Sequence, residues 1–164
     1  HLARKQFTYL EYCQAKVEIV MGDARLSMER ELAEQRPQQF DLLALDAFSS
    51  DAIPVHLLTK EAFEVYLRQL KPDGVIAVHI SNRYLNLRPV VETLAAHFGL
   101  GVVSISEDTE PAWWIYSTTW MLVTKNQAYL DHSAIKDIAD EPEKPGKPAP
   151  LWTDDFTNLY SILK

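Results

Sequence analysis

The chain has 164 residues, 47% of them hydrophobic and 24% charged, which is enough for one domain with a packed core and too few for two ordinary ones. Its formal net charge of −7 argues against nucleic acid as the main partner, because phosphate binding requires a surplus of Lys and Arg, and is compatible with a cationic substrate. A single cysteine, Cys13, excludes an intrachain disulfide and a thiolate zinc site, and no apolar run approaches the length that spans a bilayer.

Residues 1–12 (HLARKQFTYLEY) read as the end of a helix or as helical turns, with Leu2, Phe7 and Leu10 as candidate anchors. They have no N-cap signal before them and no methionine at the start, the pattern of a piece cut from something longer. Cys13 is expected as one buried or half-buried free thiol. Residues 15–21 (AKVEIVM) alternate apolar and polar positions with β-branched content, which predicts a strand. Gly22 breaks it, and Asp23 is placed to cap a helix over 24–35, where Met28 and Leu32 lie one turn apart and Pro37 is the stop.

Residues 41–46 form the second predicted strand, apolar enough to be buried on both faces as in a parallel sheet. It ends in Asp46 and opens into a polar loop that holds Ser49 and Asp51. Thr59 can cap a helix over 60–71, where Phe63, Tyr66, Leu67 and Leu70 follow the i, i+3, i+4, i+7 pattern of one buried face. Pro72-Asp73-Gly74 predicts a turn, with the glycine at positive φ. A third strand follows over 75–80 (VIAVHI). The helix predicted over 89–98 puts Val91, Leu94, Ala95 and Phe98 on one face and is terminated by Gly99.

Strands are predicted over 101–106 and over 116–124, the last preceded by Trp113-Trp114. This order predicts an α/β layer fold with a mostly parallel sheet. No helix separates the last two strands, so one antiparallel strand is expected near the C-terminal end. Four prolines and a glycine within 138–150 (IADEPEKPGKPAP) mark a Pro-rich linker over 137–150. It divides a domain over 1–136 from a C-terminal docking segment over 151–164, apolar around Asp154-Asp155.

Two places can carry chemistry. In Gly22-Asp23-Ala24-Arg25, backbone N–H groups and a carboxylate meet where a strand opens into a helix. That arrangement suits an adenine amino group with its neighbouring ring nitrogen, and equally a turn glycine followed by an N-cap aspartate. Asp46 stands at the strand end where open α/β sheets place ligands. It could act as general base for an amine or hydroxyl, or attract a cation, or bond the amides of Ser49 and Ser50 as a loop aspartate. His79, in an apolar strand, reads as a core histidine. No spacing among the five histidines resembles a metal site, and neither a Gly-x-Ser-x-Gly elbow nor a phosphate-binding glycine loop occurs. Trp113, Trp114, Tyr116 and Trp120 could line a pocket, but an aromatic stripe on strands is more often core.

Taken together, five blocks resemble the spermidine synthase-like branch of the class I, S-adenosylmethionine-dependent methyltransferase fold. They are FTYL at 7–10, the strand with GDAR at 17–25, FDLLALDAFSSDAIPVHLLTKEAF at 40–63, LKPDGVIAVHISN at 70–82 and YSTTWMLVTKN at 116–126. The resemblance implies a partial Rossmann-like methyltransferase fold in which Asp23 receives the adenine amino group and Ala24 supplies a backbone contact. Asp46 then matches the catalytic aspartate that orients and deprotonates an attacking amine. The family's diamine-holding acid, three residues on, is replaced by Ser49, and the next acid is Asp51; these two are the candidate substrate-binding residues. The WTDD element at 152–155 is similar to the end of a subgroup often fused to membrane-spanning segments, which implies a cytoplasmic domain whose parent protein carries such segments.

In the family, a strand with a Gly-x-Gly-type loop and a second strand ending in an acid precede the FTYL block. Neither is in this sequence, so the resemblance implies a truncated domain, inactive as an isolated chain. The 15–21 strand would lack its neighbours and is expected to pair directly with the 41–46 strand, to pair across a homodimer, or to pack loosely. The function implied is transfer of an aminopropyl or methyl group, from decarboxylated S-adenosylmethionine or S-adenosylmethionine, to a small-molecule amine or other nucleophile. The alternative from another class is a non-catalytic interaction or regulatory domain that retains the fold.

Overall fold

A computed structural model describes residues 8, 12–47, 54–107, 117–141 and 148–164. Among them, one sheet is built from β1 (Phe40–Leu45), β2 (Leu70–His79), β3 (Gly101–Glu107) and β4 (Thr118–Thr124). Its spatial order is β1-β2-β4-β3. β1 and β2 pair in parallel, whereas β4 runs antiparallel to both β2 and β3. Three strands therefore share one direction, and the single opposed strand lies between β2 and β3. The molecule is a mixed α/β, partial Rossmann-like fold, as its sequence predicts.

The helices are α1 (Ala24–Ala33), α2 (Lys60–Gln69), α3 (Arg88–His97), α4 (Gln127–Leu130) and α5 (Ser133–Lys136), with 3-10 turns at Val55–Leu57 and Leu159–Ile162. Asp23 Oδ1 accepts the Leu26 amide at 2.9 Å and Thr59 Oγ1 that of Ala62 at 3.2 Å, so α1 and α2 begin at the caps read from the sequence. α1 ends before Pro37, at a left-handed Gln35 (φ 57°). α3 ends at Gly99, whose φ of 63° suits the glycine of a helix C-terminus.

Strand alternation splits the core in two. Ile76 and Val78 of β2 and Met121 and Val123 of β4 join Met28, Phe63, Tyr66, Leu94 and Trp152 in the main core beneath α1, α2 and α3. Val75, Ala77 and Leu122 face a smaller core with Leu130. Short α4 and α5, which the sequence pattern did not predict, lie on this second side, and α4 packs over β3 and β4.

That uneven cover corrects the expectation for β1. Leu45 is 8% exposed, but Leu42 is 56% exposed and Ala44 is also open. β1 is an edge strand, and its second face lies beyond the helices that cover β3 and β4. Residues 15–21 form no strand: the chain there is extended without a ladder partner among the described residues, and Val20 and Met21 are exposed. Direct pairing with β1 does not occur. Cys13, in the same unpaired stretch, is exposed rather than buried.

Pro72-Asp73-Gly74 sits inside β2, where the register jumps from Phe40↔Leu70 to Leu42↔Val75. Five residues of β2 advance there against two of β1, so the turn becomes a bulge. Gly74 does not take positive φ; its need for glycine is close approach, since a Cβ would lie 2.8 Å from the Phe40 carbonyl oxygen. No helix among the described residues is long and apolar enough to cross a membrane.

Residues 148–164 lie against the domain. Trp152 is fully buried, and its carbonyl accepts the Lys60 amide at 2.8 Å at the start of α2. Asn86 N donates to the Ile162 carbonyl at 2.7 Å, and Leu85 bridges Leu163. Within the predicted linker, Asp140 N bonds the Ser104 carbonyl of β3 at 2.8 Å, and Ala149 is buried.

Candidate functional site

Parallel pairing brings the C-terminal ends of β1 and β2 to the same edge of the sheet. Leu45 is level with Val78, so the next residue of each strand, Asp46 and His79, must fall side by side. Asp46 Oδ1 lies 2.8 Å from His79 Nδ1. On the other side of the ring, His79 Nε2 is 2.8 Å from Ser81 Oγ, and that hydroxyl accepts the Thr119 amide at 2.7 Å. His79 pairs with Trp120 across the β2–β4 ladder, and the two rings stack at 4.8 Å with planes 23° apart. The Asp46 side chain is 58% exposed and that of His79 19%. A half-exposed carboxylate held by one oxygen at a strand mouth can take a proton or orient a cationic group.

A second polar cluster surrounds the start of α1. Asp23 Oδ1 caps the helix, and Oδ2 lies 2.9 Å from His56 Nε2. The Leu26 amide, and after it His56, hold the Asp23 carboxyl below its ordinary range. Arg25 grips Asp154 with both ends of its fork, Nη1–Oδ1 at 2.7 Å and Nη2–Oδ2 at 2.6 Å. It also reaches Glu29 through Nε at 2.8 Å and the His56 carbonyl through Nη1 at 2.8 Å. The Arg25 guanidinium brings the Asp154 carboxyl down to about 2, with Thr59 Oγ1 donating to it as well. An open cavity of about 620 Å³ is lined by Asp23, Glu29, Val55, His56 and Asp154, among others. Among the described residues no group of three or more His, Cys, Asp or Glu side chains is placed to hold a metal ion.

No protein-family profile matches the chain. Over 60 residues, 37% of its length, it is 37% identical to an N-terminal histidine N-methyltransferase of Emericella nidulans, of which it covers 11%. Among solved structures, the spermidine synthase of Thermotoga maritima matches 76% of this chain and 41% of its own at 17% identity, with a TM-score of 0.45. The chain thus spans about a tenth of the first protein and about two-fifths of the second. The sheet carries its one antiparallel strand, β4, near the C-terminal end of the chain as expected, and the local sequence likeness is to a methyltransferase.

Around this sheet the predicted site residues fall in separate places. Asp46 stands at the β1 mouth with His79. Asp23 lies by α1 with His56, and Ala24 is exposed as the first residue of that helix. No hydrogen bond links Asp23 to Asp46, and Asp46 is not among the residues lining the cavity beside Asp23. Ser49 and Asp51 lie outside the described residues, as do Trp113, Trp114 and Tyr116.

The partners of these acids were missed in the sequence. His79 passed as a core histidine, although it closes the strand after β1 just as Asp46 follows β1; aligning the two strand ends is the signal that finds it. His56 and Asp154 carry no such local signal, because each meets its partner only after the chain has folded.

Proposed function

We propose that the chain forms part of a transferase that uses S-adenosylmethionine or its decarboxylated form, with Asp46 as the group that orients and deprotonates the attacking nucleophile. The observation that carries this is the Asp46 carboxylate at the end of β1, one oxygen bonded to His79 and the side chain open to solvent. In the reaction an amine lone pair forms a bond to the carbon beside the sulfonium, and that carbon's bond to sulfur breaks. The electron pair stays on sulfur as a neutral thioether, and the proton from nitrogen passes to Asp46. Asp23 and Ala24 are proposed to meet the adenine, and Ser49 and Asp51 to face the acceptor. The acceptor class is a small-molecule amine or another nitrogen nucleophile; the likeness to an N-methyltransferase favours methyl over aminopropyl transfer.

The test is mass analysis of products formed by the intact protein. It is supplied with S-adenosylmethionine or the decarboxylated form, and with putrescine or a peptide bearing an N-terminal histidine. Asp46→Asn is expected to lower turnover by about 10²- to 10⁴-fold, the range for loss of a general base, while cofactor binding by calorimetry persists.

A second reading, a non-catalytic interaction or regulatory domain, draws on Asp23, whose two oxygens are engaged by the Leu26 amide and His56. Unchanged biological function in Asp46→Asn would support it against the transferase.

A further inference from the structure

The neighbours of His79 restrict where its protons can sit. An ionised carboxylate only accepts, so the 2.8 Å contact with Asp46 requires a proton on Nδ1. In a neutral ring Nε2 is then an acceptor, and the Ser81 hydroxyl, which takes the Thr119 N–H on one of its lone pairs, donates its own proton to Nε2 across 2.8 Å. Trp120 lies flat against the ring and fixes its plane. His79 is therefore fixed in position and in tautomer. Asp46 Oδ1 is bound to it, whereas Oδ2 makes no hydrogen bond among the described residues.

We propose that His79 is the positioning residue of the Asp46 carboxylate, a role that rests on the transferase reading above. A 58%-exposed aspartate at the end of a strand otherwise turns about χ1 and χ2 and bonds nearby loop amides. Tied at Oδ1, it presents the lone pairs of Oδ2 in one direction, toward solvent and an incoming nucleophile. The proton from the attacking nitrogen goes to Oδ2. His79 keeps its own proton, so nothing is relayed along Asp46, His79 and Ser81. Its contribution is orientation, which is worth most where the reacting groups must meet in a narrow range of geometry.

Three variants separate hydrogen bonding from packing. His79→Phe keeps a ring against Trp120 and removes the donor. His79→Asn places an amide N–H near the position of Nδ1. His79→Gln, whose amide reaches toward Ser81 instead, repeats the loss if the Phe variant fails to fold. Three-bond scalar couplings to the Asp46 carboxyl carbon are expected to report one χ1 rotamer in the native protein and in His79→Asn, and averaging in His79→Phe and His79→Gln. Nitrogen-15 spectra of the native ring should show the proton on Nδ1.

In the intact protein turning over S-adenosylmethionine, His79→Phe should lower kcat by about 10- to 100-fold, the range for a hydrogen bond to a charged group, with KM for the cofactor unchanged and most activity recovered in His79→Asn. An Asp46 rotamer that is averaged in the native protein, or unmoved in His79→Phe, overturns the role whatever the assay gives. Turnover lost in Asp46→Asn but not in His79→Phe also overturns it and leaves the transferase reading standing. Turnover unaffected by Asp46→Asn instead overturns Asp46 as the base of the proposed transferase and, with it, the role of His79.

Discussion

Arg25 ties the start of α1 to a residue 129 positions later, Asp154. Its planar fork matches both carboxylate oxygens at once, a geometry that lysine cannot reproduce, and its side chain is only 12% exposed. The pairing depresses the Asp154 carboxyl from its ordinary 3.8 to about 2. A group depressed on folding adds stability above its unfolded value, and that stability is lost as the pH falls toward the folded one. The window here runs from about pH 4 down to about pH 2. Because the Asp154 side chain is 43% exposed, solvent screening reduces the contribution to about 1 kcal/mol. Asp154→Asn should therefore lower Tm by about 2–4 °C at neutral pH, and thermal melts of the two proteins should converge as the pH approaches 2. A gap of the same size at pH 7 and pH 2 would show that the carboxylate charge is not what fastens the segment.

Among the elements, β1 carries the clearest consequence. Its two faces have different cover, so two leucines three positions apart should respond differently. Leu45→Ala, at 8% exposure, is expected to cost about 2–4 kcal/mol as a core truncation. Leu42→Thr, at 56% exposure, should stay within about 0.5 kcal/mol, both measured by urea denaturation. Equal losses would mean that something covers the outer face of β1 in solution.

The sheet was legible in the sequence because each strand carries its own apolar signature, α1 and α2 their N-caps and α3 its terminating Gly99. The cover was not. An apolar run reads as doubly buried whether or not anything lies on its second face, and α4 and α5, four residues each, are too short to show a helical period. Residues 15–21 have the alternation of a strand, but pairing belongs to two strands and cannot be read from one.

Over the whole molecule, the candidate site divides along the same line. Asp46 was visible as an acid that ends an apolar run. His79 became its partner only through the register that sets Leu45 beside Val78, a relation between strands 33 residues apart. The C-terminal segment extends this dependence on long-range contacts, since it places Trp152 in the main core and Asp154 on Arg25. A tail that only rested on the surface would tolerate loss of its side chains, whereas one that completes the core would not. Trp152→Ala should cost about 3–5 kcal/mol, the range for deleting a fully buried aromatic ring. The indole Nε1 is buried without a hydrogen-bond partner among the described residues, so the ring's worth lies in packing and not in its polar atom. Removing that N–H leaves no acceptor unpaired. Trp152→Phe should accordingly cost about 1–2 kcal/mol, the share owed to lost volume. Chemical denaturation of both variants decides the point: a phenylalanine as damaging as alanine would mean that the indole N–H holds an acceptor, and that the segment is secured by that bond as well as by the ring.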